Sequence, residues 1–151
     1  MEDFFKNADI ALQSEPEVAI LARGISMRPM LREHKDIVII ERVNRKLKKY
    51  DVPLYRRPNC DRFVLHRIVK ITDKGYVIRG DNLLFNEYDV TDDDIIGVLK
   101  AFYRDGKYYD CATSKAYKAY VIINQLYSPL RRVWRLKIKV FLSKIKHLIF
   151  K

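Results

Sequence analysis

Cysteine is scarce in this chain: Cys60 and Cys111 are the two present, far apart and in no metal-like spacing. That excludes a disulfide framework or a zinc site as the organising device and leaves two ordinary thiols. Long apolar runs are missing too, since no stretch supplies the roughly 18 uninterrupted residues of a membrane-spanning helix. The first ten residues lack the basic start and apolar core of a secretory leader. These absences predict a cytoplasmic protein. Acids are absent only locally: residues 131–151 hold eight Lys or Arg and no Asp or Glu, within a net charge of +11 for the whole chain. The charge therefore belongs to a tail rather than to the body, and nucleic acid is not an expected partner.

What is present is enough for one domain. The 151 residues are 48% hydrophobic, sufficient to bury a core without crosslinks. Residues 17–23 and 36–42 are short runs rich in branched side chains that flank a turn, in which Pro29 opens at most one helical turn. Residues 54–56, 62–71 and 76–79 continue the strand pattern, with a tight turn at Asp73-Lys74-Gly75. Residues 95–103 and 107–110 flank Asp105-Gly106, a strong hairpin signal because both residues tolerate positive φ. The pattern predicts a mainly β, curved-sheet or β-barrel-like domain over 17–111, with a lead-in over 1–16 and a helical, basic extension over 112–151.

Within that extension, Thr113 or Ser114 can cap a first helix reaching about Tyr127. Ser128 followed by Pro129 reads as the start of a second. In that second segment Leu130, Trp134, Ile138, Phe141, Leu142, Ile145, Leu148 and Ile149 fall on one helical face, with most of the basic residues outside it. Two readings follow. The segment packs its apolar side on the β domain, or it lies on an anionic membrane surface through residues such as Trp134, Lys137, Phe141 and Lys144, making the protein peripheral to the membrane.

Three short segments carry the chemistry. Ser26 sits two residues after Gly24, which lets backbone approach a ligand, and just before Met27, Pro29 and Met30, which fix the chain. Backbone N–H groups there could face a developing oxyanion, so Gly24, Ser26, Met27 and Pro29 are the candidate oxyanion and substrate-binding residues. His66 lies inside an apparent central strand, on one face with Val64 and Ile68, where burial favours the neutral imidazole that a general base requires. Lys70 shares that face but lies roughly 13 Å away along a strand, and Arg67 on the other face suits a carboxylate partner. Gly80-Asp81-Asn82 ends the next strand; Asp81 could orient His66 or simply stabilise its own turn. The acidic run Asp92-Asp93-Asp94 reads as a solvated turn. Nothing in the sequence calls for a metal or a cofactor.

Gly24-Ile25-Ser26-Met27-Arg28-Pro29-Met30-Leu31 resembles the Ser-Met-x-Pro nucleophile box of the signal-peptidase and LexA-like serine peptidases. His66-Arg67 resembles the box holding the general base in the endoplasmic-reticulum type of signal peptidase, where bacterial enzymes place Lys. Gly80-Asp81-Asn82 resembles that type's Gly-Asp-Asn box. The three boxes stand in the family's order across about residues 17–100. The resemblance implies a β-rich fold with Ser26 as nucleophile, His66 as base and an acid from the third region, where Glu87 replaces the usual Asp; Glu87 and Asp81 both stand as candidates. It also implies that Lys35-Asp36-Ile37-Val38 and Tyr50-Asp51-Val52 correspond to Gly-Asp-Val turns with the Gly replaced. The function expected is a serine endopeptidase cleaving an extended leader or regulatory peptide. The alternatives are a self-cleaving regulator, which the absence of a helix-turn-helix segment and the His in place of Lys disfavour, and an inactive basic binding protein with the same fold.

Overall fold

A computed structural model describes residues 4–57 and 62–149. Helix α1 (Phe4–Ser14) turns Ala8 and Leu12, one helical turn apart, into the core. Pro16 follows it, and the Arg42 guanidinium donates to the carbonyls of Leu12, Gln13 and Glu15 that the end of the helix leaves free. The lead-in is therefore a packed helix. Sequence pattern did not show it.

Among the described residues nine strands follow: β1 (Glu17–Leu21), β2 (Ile37–Glu41), β3 (Pro53–Arg56), β4 (Phe63–Leu65), β5 (Arg67–Thr72), β6 (Gly75–Arg79), β7 (Glu87–Val90), β8 (Ile95–Arg104) and β9 (Lys107–Asp110). They form two antiparallel sheets. The larger has the order β1-β2-β8-β3-β4 with β9 also on β8, and the smaller is β5-β6-β7. Strand β8 organises the first sheet: one edge pairs with β2, while the other pairs first with β3 and then with β9. Register shifts at Ile39/Ile40, Leu54/Tyr55 and Ile68/Lys70 bend the strands, as bulges do. The protein is thus mainly β, with two antiparallel sheets and a C-terminal helix.

The single strand expected over 62–71 is divided. The chain leaves the first sheet after Leu65 and enters the second at Arg67, so His66 occupies the crossing rather than the middle of a strand. Two apolar clusters result. One joins α1, the β1-β2-β8 region and the start of the C-terminal helix, and includes Met27, Met30, Val38, Ile40 and Val121. The other lies where the sheets face each other, with Tyr55 and Val98 from the first against Ile68, Tyr76, Ile78 and Val90 from the second.

Helix α2 (Lys115–Ile149) is one continuous helix, not two. Ser114 Oγ accepts the Tyr117 N–H and caps its start. Ser128 does not cap a second helix; it is buried inside α2, and its hydroxyl accepts from Arg79 at 2.7 Å, leaving Pro129 in the helix interior. Of the two turns matched to Gly-Asp-Val, Tyr50 keeps a positive φ of 79°, the conformation glycine adopts most easily. Asp36 is fully buried and held by Arg32 and Arg104. Burial pushes its carboxyl up, but the hydrogen bonds from Arg104 and Arg32 outweigh that and hold it below the usual aspartate value. Burial pushes the free thiol Cys111 up to about 12, which favours the protonated thiol over the thiolate at neutral pH; Cys60 lies outside the described residues. The acidic turn at 92–94 is a short 3-10 helix, and among the described residues no cluster of acids, His or Cys could hold a metal ion.

Gly97 on β8 lets β2 and Leu12 of α1 approach closely. A Cβ there would meet Ile40 Cγ2 at 2.6 Å, the Glu41 carbonyl at 2.9 Å and Leu12 Cδ1 at 3.0 Å. Gly97→Ala is expected to destabilise the fold by about 1–3 kcal/mol, read as a lower urea midpoint with an unchanged slope.

Candidate active site

Ser26 lies in a run of turns between β1 and β2, half-buried, with Ile25 and Pro29 exposed beside it. The turn is fixed by bonds from the Arg28 N–H to the Ile25 carbonyl and from the Leu31 N–H to the Met27 carbonyl. Gly24 takes a φ of 79°, and its N–H donates to Glu33 Oε1 at 2.9 Å, so it is engaged in the turn rather than open to an oxyanion. The Met27 side chain is a buried core residue, so its candidate role rests on its backbone. Pro29 is exposed after a cis peptide bond, and its carbonyl accepts from Arg104. Among the described residues, the Ser26 and Met27 N–H groups donate to no protein acceptor. The Ile25 N–H next to them likewise donates to no described acceptor.

The Gly-Asp-Asn turn is built against this segment. The Asn82 N–H donates to the Ser26 carbonyl at 2.8 Å, and Asn82 Nδ2 donates to the Ile25 carbonyl at 3.1 Å. Gly80 makes that approach sterically feasible, since a Cβ there would stand 2.7 Å from the Ser26 carbonyl oxygen and 3.1 Å from His66 Cδ2. Both atoms thus face one point at Gly80, and they can be no further apart than those two distances combined. Among the described residues the imidazole bonds to Tyr55 and Glu87 and not to Ser26 Oγ; catalytic contacts of this kind commonly tighten only around substrate.

His66 is buried, with its backbone N–H bonded to the Pro53 carbonyl. Nδ1 lies 3.0 Å from Glu87 Oε1 and 3.3 Å from the Tyr55 hydroxyl. Glu87, from β7, also accepts from Tyr55 at 3.0 Å and from both Nε and Nη2 of Arg57, at 2.7 and 2.6 Å. Burial pushes the Glu87 carboxyl up, but the bonds from His66, Arg57 and Tyr55 outweigh it and hold the group well below the usual carboxylate range. A carboxylate only accepts, so the proton sits on Nδ1 in the neutral ring. The lone pair of neutral His66 is then on Nε2, next to Cδ2, the ring atom that faces Gly80.

Asp81 does not orient His66. Its two oxygens are bound by Arg67 Nε and Nη2, each at 2.8 Å, in a pair whose side chains are 0% and 1% exposed, and Tyr120 from α2 adds a third bond at 3.0 Å. Arg67 also donates to the Tyr50 carbonyl and to Tyr117 of α2. Arg131 donates to the Asp81 carbonyl, so α2 holds this turn from both sides. Lys70 is exposed on β5, away from the imidazole's partners. Sequence reasoning missed Tyr55, Arg57, Tyr117 and Tyr120. The two helix tyrosines stand three apart, on a row with Asn124, Ser128 and Arg131, and that spacing was the available signal.

In the tail, Trp134 and Lys137 are exposed, and the side chains of Phe141 and Lys144 lie outside the described set. Among the described residues no helix is long and apolar enough to cross a membrane. Comparison with known proteins finds no matching family model and no match among curated proteins or solved structures.

Two outcomes follow from these contacts. Asp81→Ala strands a buried guanidinium and is expected to destabilise the protein by about 3–5 kcal/mol in urea titration, as breaking one side of a buried pair does. Glu87 has a depressed folded value, so its contribution to stability is fully present above its ordinary value of 4.5 and is lost as pH falls through the lower folded one. Urea midpoints measured from neutral pH into the acid range should fall more steeply for wild type than for Glu87→Gln.

Proposed function

We propose that this protein is a serine endopeptidase in which Ser26 attacks and His66 carries the proton. The observation that supports this most directly is the polarity of His66: Nδ1 is bound by a carboxylate while Cδ2, next to Nε2, faces Gly80, which also abuts the Ser26 carbonyl. In this reading, Ser26 Oγ attacks the carbonyl carbon of an extended peptide as Nε2 takes its proton. The oxyanion forms against the Ser26 and Met27 N–H groups. His66 returns the proton to the departing amine, leaving an acyl-enzyme, and water attacks that ester by the same route in reverse. Glu87 holds the ring tautomer and stabilises the transient imidazolium, while Tyr55 and Arg57 hold Glu87. The resemblance of the three sequence boxes to signal-peptidase and LexA-like peptidases points to the same assignment.

The substrate in this proposal is an extended peptide or protein segment. Strand β1 is an edge strand of the larger sheet and ends five residues before Ser26, so a peptide added along it would run toward the hydroxyl. The exposed turn at Ile25 and Pro29 would then line the cut.

The test compares protein N-termini in cells carrying wild type or Ser26→Ala; a terminus present only with wild type identifies activity and substrate together. With that substrate, Ser26→Ala and His66→Ala should each reduce turnover by several orders of magnitude, and the double variant should be no slower than either, because the two residues act as a unit. Glu87→Gln should lose about 10²–10⁴-fold in kcat with the fold retained, since the ring then lacks its charged partner. Identical N-termini in the two strains would refute the assignment, and two fragments appearing in the intact mass of the purified protein would redirect it to self-cleavage.

A further inference from the structure

The amphipathic character of α2 is inverted relative to its packing. Its inner side, toward the domain, is largely polar or aromatic: Tyr117, Tyr120, Asn124, Ser128 and Arg131 bond to the domain or to each other, with Val121 as the buried aliphatic among them. Its outer side carries Ile122, Ile123, Leu126, Leu130, Val133 and Trp134, each between 53% and 69% exposed. At 100° per residue these six lie within about 120° of one another, so they form one stripe rather than scattered apolar positions. Single exposed apolar residues are ordinary; a contiguous stripe on a helix marks something that covers it. A helix packed on its domain through its apolar stripe would turn this side inward, whereas α2 packs through its polar and aromatic side.

Charge decides what fits. The stripe runs directly into residues 131–151, which carry eight basic residues and no acid. A second copy of this chain would bring a matching positive segment to the same place. A phosphodiester backbone would satisfy the charge and leave the apolar stripe in water. An anionic lipid interface satisfies both: acyl chains take the apolar residues, headgroups take the ammonium and guanidinium groups, and long side chains such as the exposed Lys137 can reach up from the apolar boundary. We propose that the outer face of α2 docks on an anionic membrane surface, lying along it rather than crossing it. The inference does not depend on peptidase activity. Its readout is binding.

Trp134 is the only tryptophan, so the emission of the full-length protein reports on this face alone. Vesicles of phosphatidylglycerol with phosphatidylcholine should shift that emission to shorter wavelength and carry the protein upward in flotation. Vesicles of phosphatidylcholine alone should do neither to a comparable extent, and raised salt should weaken the binding. The pair Leu126→Glu and Leu130→Glu, placed at exposed positions, should abolish flotation while the thermal melting curve is unchanged. The proposal is overturned if the protein neither floats nor shifts, if the Glu pair floats like wild type, or if both vesicle types bind equally. A vesicle-free blue shift that grows with protein concentration would also overturn it, since a second copy would then be the occupant.

Discussion

The buried pair of Arg67 and Asp81 holds together everything that concerns chemistry. Neither side chain reaches solvent, and between them they collect bonds from the turn at Tyr50, from Tyr117 and Tyr120 of α2, and from one another twice. Such a pair adds little net stability once desolvation is counted, but breaking it is costly, so its effect is to specify one arrangement. That arrangement matters because of what stands next to each partner. His66 precedes Arg67, and Gly80 and Asn82 bracket Asp81. Joining Arg67 to Asp81 therefore sets the imidazole beside the turn whose Gly80 and Asn82 grip the Ser26 backbone. Two residues that do no chemistry in the proposed reaction bring together those that do.

Glu87 completes the arrangement through saturation. A carboxylate offers about four acceptor sites, and Arg57 Nε, Arg57 Nη2, Tyr55 and His66 occupy four. Such a group cannot swing, so the extra methylene relative to Asp need not loosen the imidazole. The Arg57 fork has an opposing consequence: it neutralises part of the charge that Glu87 presents to His66. The carboxylate thus fixes direction more strongly than it stabilises a positive ring.

How much of this was legible follows from the range of each signal. Strands β1, β2, β6 and β8 follow local runs of branched residues bounded by turn residues and β9 follows the Asp105-Gly106 turn, and these signals placed all five to within two residues. Ser26, His66 and the Gly-Asp-Asn turn were visible because three short boxes stand in order. The break at His66 was not, because both flanking segments are apolar and a strand that changes sheets reads like one that continues. The choice between Asp81 and Glu87 depended on which side of the imidazole each strand delivers its carboxylate, a property of the register of β6 against β7 that no local pattern carries. Tyr55 was hidden for the same reason: it matters because β3 pairs with β4 one residue before His66. The error at Ser128 was of another kind. Ser-Pro is a sound start signal, but the buried bond from Arg79 gives that hydroxyl a tertiary partner, and the helix runs through.

That bond also bears on how α2 relates to the proposed site. Arg79 reaches Ser128 from the end of β6, while Tyr120 and Arg131 reach Asp81 two residues further along the chain. The helix is thus fastened to the strand and turn that carry Gly80 and Asn82, the residues that set the Ser26 backbone. Its inner face can be polar because each polar group there has a hydrogen-bond partner, and among the described residues no buried side-chain nitrogen or oxygen lacks one. Apolar residues are therefore not needed on that side and occupy the other, where their exposure is tolerable only if something takes them up. A surface that covered the outer face would fix the orientation of the Ser26 turn relative to itself, because the helix between them is fastened at both Ser128 and Asp81. Polar fastening inside and apolar exposure outside are two consequences of one distribution of side chains along α2.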